Sequence, residues 1–600
     1  MNSWYLAILV IVFYEVGFCT AGEIPSVDTK LGTITGLRKT ITFLGNDHTV
    51  DSYLGIPYAK PPVNERRFQK PEPREPFSEP YQANNFGAAC LQFSWFEEIT
   101  DSSEDCLFLN VYVPNSKPDE SGGHAVMLFI HGGGFTLGTG NTYVGETLAS
   151  VGNIIVITIN YRLGLFGFLD LYDEDGPGNF GLWDQHLALQ WVNENIAAFG
   201  GDNARVTLFG ESAGSTAVVL QALYPGNKGL FRSAIAESGA ITMPFTVPYN
   251  HIKPATYFAE SMNCNVENKA EMFQCLQQAP AENVLKVIVD TITEDFSGGS
   301  VKVTLNPSVD GEFIKRRPAD MYIEAKTEIL EEVDFFRSIT FMNGINAAEG
   351  AVFTIMHADP QNIDSFKVSR EQMNNQVMPA AAALAFSFNR TVTDALKQLL
   401  LFEYTDWKNP DDPDRIRDQL VRFYSDVFFN VPAMELSRLH ANGTNAGSYV
   451  YNFRADVGGH LYPTPSWARQ TNHGDELGPV FGYNFRYNKI LGISTYTPTE
   501  KELRLSNKVM TYWSNFAKTR NPNEPKTDST GKVWPIYTTA SQDYLIIDEE
   551  DSIGQFMYVR ELEFWRKTLP MFFEAIDHKS TVSSSPSSKD GHCEKDGPCN

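Results

Sequence analysis

Arg205-Val206-Thr207-Leu208-Phe209-Gly210-Glu211-Ser212-Ala213-Gly214 reads as a short buried strand running into a G-x-S-x-G turn. Ser215-Thr216-Ala217-Val218-Val219-Leu220 follows and predicts a helix. Strand, sharp turn and helix are the setting of a nucleophile elbow. Glycines at 210 and 214 suit a turn too tight for a β-carbon. The turn would hold the Ser212 hydroxyl at the positive end of the following helix. A chain with 45 glycines produces this pattern by accident at a rate on the order of 0.2 copies. The weight therefore falls on the partners found elsewhere in the chain.

Working outward, apolar β-rich runs alternate with helical stretches from about residue 124. Val126-Met127-Leu128-Phe129-Ile130, Ile154 to Ile159 and Val206 to Phe209 read as strands. Ser233 to Ala236, Ile339 to Met342 and Tyr449 to Phe453 continue the series. Runs apolar on both faces predict a mostly parallel sheet covered by helices on both sides, an α/β class. Leu182, Leu187, Leu189, Trp191, Val192 and Ile196 predict a partly buried helix over 182–196, and residues 26 to 68 read as short antiparallel strands.

No segment between 22 and 578 has the composition of a flexible linker, so one large domain is expected there. The 42% hydrophobic content is enough to fill its core. Residues 579–600 are rich in serine and charge and predict a disordered tail. Trp4 to Phe18 is apolar but for Glu15, and Cys19-Thr20-Ala21-Gly22 supplies small residues for cleavage, so residues 1–21 read as a secretory signal peptide. A membrane anchor is the other reading, but the run falls short of the roughly 20 residues a span needs. A net charge of −25 argues against nucleic acid and against an anionic membrane surface.

Without the leader six cysteines remain: Cys90, Cys106, Cys264, Cys275, Cys593 and Cys599. They fit an oxidising compartment. Local pairing of Cys90 with Cys106 and of Cys264 with Cys275 is the simplest of fifteen connectivities. The last two are left open. Asn389-Arg390-Thr391 and Asn442-Gly443-Thr444 are glycosylation acceptors.

A serine nucleophile needs a base, a group that orients the base, and donors for the oxyanion. His131-Gly132-Gly133-Gly134-Phe135 directly follows a strand, the HGGG arrangement of esterases and lipases. With the elbow, and with Gly55-Ile56-Pro57-Tyr58-Ala59, Glu104 to Tyr112, Asn160 to Gly164 and Phe199-Gly200-Gly201-Asp202, it gives a resemblance over about residues 25 to 575. The chain resembles the type-B carboxylesterases, the α/β-hydrolase family that includes cholinesterases and juvenile hormone esterases. The resemblance implies that the amides of Gly133, Gly134 and Ala213 form the oxyanion hole.

The order Ser, acid, His in this fold leaves His251, His357, His440, His460, His473, His578 and His592 as bases. His473, in Asn472-His473-Gly474-Asp475-Glu476-Leu477, matches the family's histidine segment; His460 is read as a loop residue. Glu349, in Asn343-Gly344-Ile345-Asn346-Ala347-Ala348-Glu349-Gly350, matches the acid segment. Its competitor, Asp310, resembles a structural turn. The resemblance also implies that Ser238 supports Glu349, that Glu211 stands beside the nucleophile, and that Arg162 pairs with Asp184.

The expected activity is hydrolysis of a small-molecule ester by a secreted Ser-Glu-His enzyme that uses no cofactor and no metal. No stable insertion in a membrane is expected, and a homodimer is left open. Two departures from the family pattern bear on the substrate. The Cys90–Cys106 loop is short, although it carries Trp95-Phe96, and Glu211 stands where juvenile hormone esterases have Gln. A lipase, a cholinesterase-like hydrolase and a non-catalytic adhesion homologue are the alternatives. The acyl and alcohol groups are not legible, since they depend on loops around Trp95-Phe96, Phe296 and Phe353.

Overall fold

The computed structural model describes residues 24–575 apart from 93–98, 100, 171–177, 245, 248–253, 299–304, 360–361, 387–391, 444–445, 461–463, 487–495 and 528–530. The leader at 1–21, Trp95, Phe96, Asn389, His251, His578, His592, Cys593, Cys599 and the tail lie outside the described residues, as does the side chain of Phe296.

Eleven strands form one sheet. In chain order they are β1 (Leu37–Phe43), β2 (Asn46–Pro57), β3 (Phe108–Pro114), β4 (His124–Ile130), β5 (Ile155–Ile159) and β6 (Gly201–Glu211). After these come β7 (Ser233–Glu237), β8 (Thr340–Asn346), β9 (Ser448–Phe453), β10 (Asp543–Ile547) and β11 (Ser552–Gln555). Their spatial order is β11-β10-β9-β8-β7-β6-β4-β5-β3-β2-β1. Every pair from β5 through β4 and β6 to β10 is parallel. The remaining pairs at the two edges are antiparallel.

The period of two along each strand divides the core. In β4, Val126, Leu128 and Ile130 point to one face, where they meet Leu182, Ala188, Leu189 and Val192 of helix α1 (Phe180–Asn195) and Ala217 and Val218 of helix α2 (Ala213–Leu223). Met127 and Phe129 point to the other face, against Val509, Met510, Trp513 and Phe516 of helix α3 (Glu500–Thr519). A strand flanked on both faces has no solvated side, so its sequence is apolar throughout. The sheet is the mostly parallel, helix-covered α/β sheet that the alternating pattern implied, and the chain has the α/β-hydrolase fold that the family resemblance implied.

Two strands run further than their apolar runs indicated. β8 continues past Met342 to Asn346 because its polar side chains are satisfied inside the protein. Asn343 Nδ2, for example, donates to Ala433 O at 2.8 Å and to Ser437 Oγ at 2.9 Å. β6 begins at Gly201 rather than Arg205, with a break in register between Gly201 and Val206 where it passes β4. Among the described residues no helix is long and apolar enough to cross a membrane.

Candidate active site

The carboxyl ends of β4, β6, β7 and β8 converge on one point. β6 ends at Glu211, α2 starts at Ala213, and Ser212 between them has φ 58° and ψ −124°. A non-glycine residue at positive φ costs about 1–3 kcal/mol and persists only where its surroundings over-determine it. Here they do. Ser212 N–H donates to Glu237 O at 2.8 Å, and Thr216 N–H donates to Ser212 O at 3.0 Å. At Gly214 a β-carbon would strike the backbone of Ile130 and His131, so the helix start lies flat on the end of β4. The Ser212 hydroxyl caps nothing in α2, which leaves it for other chemistry.

The glycine turn lies beside the serine. A β-carbon on Gly132 would sit 2.8 Å from Glu211 Oε2 and 3.0 Å from Ser212 Cβ. Gly133 and Gly134 take φ values of 104° and 62°. Among the described residues neither N–H meets a backbone or side-chain acceptor. The Gly133 carbonyl closes the turn on itself, accepting Thr136 N–H at 3.1 Å and Leu137 N–H at 3.0 Å.

Glu349 and His473 meet from positions 124 residues apart in the chain, with several helices and β9 between them. His473 Nδ1 lies 2.7 Å from Glu349 Oε2, and both residues are buried. Glu349 Oε1 accepts Asn346 N–H at 2.6 Å and Ser238 Oγ–H at 2.5 Å. Asn346 Nδ2 crosses to the histidine turn, donating to Asn472 O at 2.8 Å and to Glu476 Oε2. That turn is held by Asp475, whose Oδ2 accepts Asn472 N–H at 2.7 Å. The ring of Phe429 packs 4.7 Å from the His473 ring.

Four carboxyl groups crowd this region. Glu211, Glu237, Glu349 and Glu476 are each fully buried. Burial first, then the charges of Glu349 and Glu237, push the Glu211 carboxyl well above the usual range. Burial pushes Glu476 up in the same way, helped by Glu211, Glu349 and Glu237. Burial raises Glu237 to about 8, although Trp513 Nε1–H donates to it at 3.0 Å. Burial thus favours the protonated forms of Glu211, Glu237 and Glu476. Glu211 Oε1 lies 3.1 Å from His473 Nε2, off the line of a hydrogen bond, and neither Glu211 oxygen has a hydrogen-bond partner among the described residues.

Other sequence-selected residues lie outside this cluster. His460 Nδ1 sits 2.9 Å from Asp475 Oδ1, behind the histidine turn rather than at the serine. Asp310 Oδ1 accepts Ile314 N–H at 2.8 Å and Glu312 N–H at 3.1 Å, closing a turn. Arg162 and Asp184 form a buried two-pronged pair at 2.8 and 2.7 Å. Disulfides join Cys90 to Cys106 and Cys264 to Cys275. Asn442 is exposed.

Sequence reading missed Asn346, Glu237, Asp475 and Phe429 as parts of the site. Asn346 and Asp475 stand inside the quoted acid and histidine segments. Glu237 and Phe429 carry no local signal, because only the sheet and a π-helical turn at Asp426–Asn430 bring them there.

A model of the carboxylesterase family matches residues 23–565. The chain belongs to the carboxylesterase family. Within it, this family member is 32% identical to Neuroligin-3 of Mus musculus over 94% of its own length and 72% of the relative's. Neuroligin-3 of Homo sapiens is 31% identical over 98% and 74%, and Neuroligin-2 of Homo sapiens 32% identical over 92% and 69%.

Proposed function

We propose that this family member is a serine esterase of the extracellular space, acting through Ser212, His473 and Glu349. The observation that carries the reading is the buried Glu349–His473 bond of 2.7 Å beside a serine held at φ 58°. Among the described residues the Ser212 hydroxyl makes no cap bond to α2, and His473 Nε2 reaches the adjoining Glu211 at 3.1 Å, which brings the oriented imidazole to the elbow.

In this reading His473 Nε2 takes the Ser212 proton as Oγ attacks the ester carbonyl. Glu349 stabilises the imidazolium through Nδ1. The N–H groups of Gly133, Gly134 and Ala213 donate to the oxyanion. His473 returns the proton to the departing alcohol, and water then repeats the sequence on the acyl-enzyme. Glu211 stays protonated, so no second anion competes with serine for His473 Nε2; Ser238 holds Glu349 in place. Phe353, Phe428 and Phe429 give the site an aromatic wall, with Phe429 against His473 and Phe353 tilted against Phe428, their ring centroids 4.6 Å apart. That wall favours esters with an apolar group, including lipase-type substrates. Residues 22–578 form the hydrolase domain in this reading, exported by the leader at 1–21 and free of any cofactor.

The relatives favour a second reading. They carry the name neuroligin rather than the name of an esterase, and that favours the non-catalytic adhesion homologue, a dimeric cell-surface or secreted protein that binds a partner by its surface. Turnover of 4-nitrophenyl acetate by the purified protein separates the two. The esterase gives a steady release of nitrophenolate that Ser212→Ala abolishes. An adhesion homologue gives the same trace with and without the substitution.

A further inference from the structure

The Cys90–Cys106 disulfide closes beside the glycine turn, and one side chain spans the gap between them. Gln92 stands two residues after Cys90 and is 6% exposed. Its Oε1 accepts Gly138 N–H at 2.7 Å, and its Nε2 donates to Gly138 O at 2.8 Å and to Cys90 O at 3.0 Å. Both side-chain N–H groups and the carbonyl are thereby used. The amide occupies both backbone groups of Gly138, as a neighbouring strand would.

Gly138 ends the segment that begins at His131. It has φ +112°, and a β-carbon there would fall 2.5 Å from His131 Nδ1 and 2.6 Å from Gly132 O. The backbone that Gln92 grips is therefore the backbone on which His131 and Gly132 rest. Gly133 and Gly134 follow directly, and the bonds from Thr136 and Leu137 to Gly133 O make the turn a closed unit. Moving Gly138 moves that unit.

We propose that Gln92 is a positioning residue for the oxyanion amides: through it the backbone at Cys90 fixes where the N–H groups of Gly133 and Gly134 point. The proposal rests on the esterase reading of the site. Gln92 does not reach the reacting atoms. Its bonds set the turn before substrate arrives, and donors aimed in advance stabilise the transition state more than the bound ester.

The test compares wild-type protein with Gln92→Met, which keeps the length of the side chain and removes all three bonds. Three quantities are read: kcat and KM for 4-nitrophenyl acetate, affinity for an aryl trifluoromethyl ketone against its carbinol, and amide exchange of the peptide over 132–139. The ketone adds to the serine and places an oxyanion in the hole; the carbinol does neither. The expected kcat falls about 10- to 100-fold, the cost of misplacing a donor, with KM moving about twofold or less. Ketone affinity falls in proportion, carbinol affinity holds, and exchange rises in 132–139 alone. An unchanged kcat, an equal loss for ketone and carbinol, or exchange rising throughout β4 overturns the proposal. A wild-type protein that neither turns over the ester nor binds the ketone overturns the esterase reading and this inference with it. Where Gln92→Met is not secreted, Gln92→Glu is measured in its place. It keeps the acceptor for Gly138 N–H and loses both donated bonds, and the same changes are expected.

Discussion

The two halves of the site are held by different physics. At the serine the restraint is steric. Ser212 is fixed by backbone hydrogen bonds and by glycines whose missing β-carbons let α2 lie on the end of β4. At the histidine the restraint is electrostatic. Asn346, Ser238 and Asp475 hold Glu349 and the histidine turn through side-chain bonds among four fully buried carboxyl groups. The first half is intolerant of added volume. The second depends in addition on the charge state of its carboxyl groups. Substitutions placed on one side or the other separate the two.

The largest effect is expected on the electrostatic side. Glu349→Gln keeps the shape and removes the charge, and it favours the imidazole tautomer with its proton on the wrong nitrogen. Esterase kcat should fall by about 10²–10⁴ with secretion retained, and His473→Ala should be at least as damaging. Steady-state rates with the nitrophenyl ester check both. A variant that keeps more than half the wild-type kcat would remove Glu349 from the mechanism.

On the steric side, Gly214→Ala drives a methyl group into the backbone of Ile130 and His131. Overpacking of this kind costs about 1–3 kcal/mol, and more where the obstacle is backbone. The expected result is a lower unfolding midpoint by the same amount at pH 5 and at pH 8. A loss that changes with pH would show that the elbow is coupled to the carboxyl cluster.

The third prediction isolates one proton. Burial raises Glu237 to about 8 from a usual value of 4.5. The folded protein therefore holds a proton that the unfolded chain releases between those two values. Stability from this group is full below pH 4.5, declines as pH rises, and is lost once pH passes about 8. Glu237→Gln carries a permanently neutral side chain and should show a shallower decline between pH 5 and 8. Denaturant titrations of both proteins at three pH values read the difference directly. Parallel curves would place the proton on another member of the cluster.

What was legible in the sequence follows the same division. The elbow and the HGGG turn are local and steric, so the glycines that build them stand next to the residues they serve. The sheet was legible for a related reason, because strands buried on both faces write their burial into a continuous apolar run. The polar end of β8 was not, since Asn343 and Asn346 are tolerated only through partners on Ala433, Ser437 and Asn472 that the strand itself does not contain. Glu349 and His473 were chosen by resemblance to a family, not by spacing. Glu237 escaped altogether, because a buried glutamate reads as a surface one until the sheet is assembled around it.

The smallest effect is expected at His460. Its bond to Asp475 backs the histidine turn, and that bond raises its pKa against the effect of burial. His460→Ala should keep most of the esterase activity, because Asp475 still accepts Asn472 N–H at 2.7 Å. An inactive His460→Ala beside an active His473→Ala would exchange their roles.

The central claim is that Ser212 is a nucleophile driven by His473 and Glu349. A fluorophosphonate reacts only with a serine so activated, and the mass of the modified peptide names the residue. The account predicts one label per chain, on Ser212, formed far more slowly in Glu349→Gln. A wild-type protein left unlabelled, or labelled on any other serine, would contradict it.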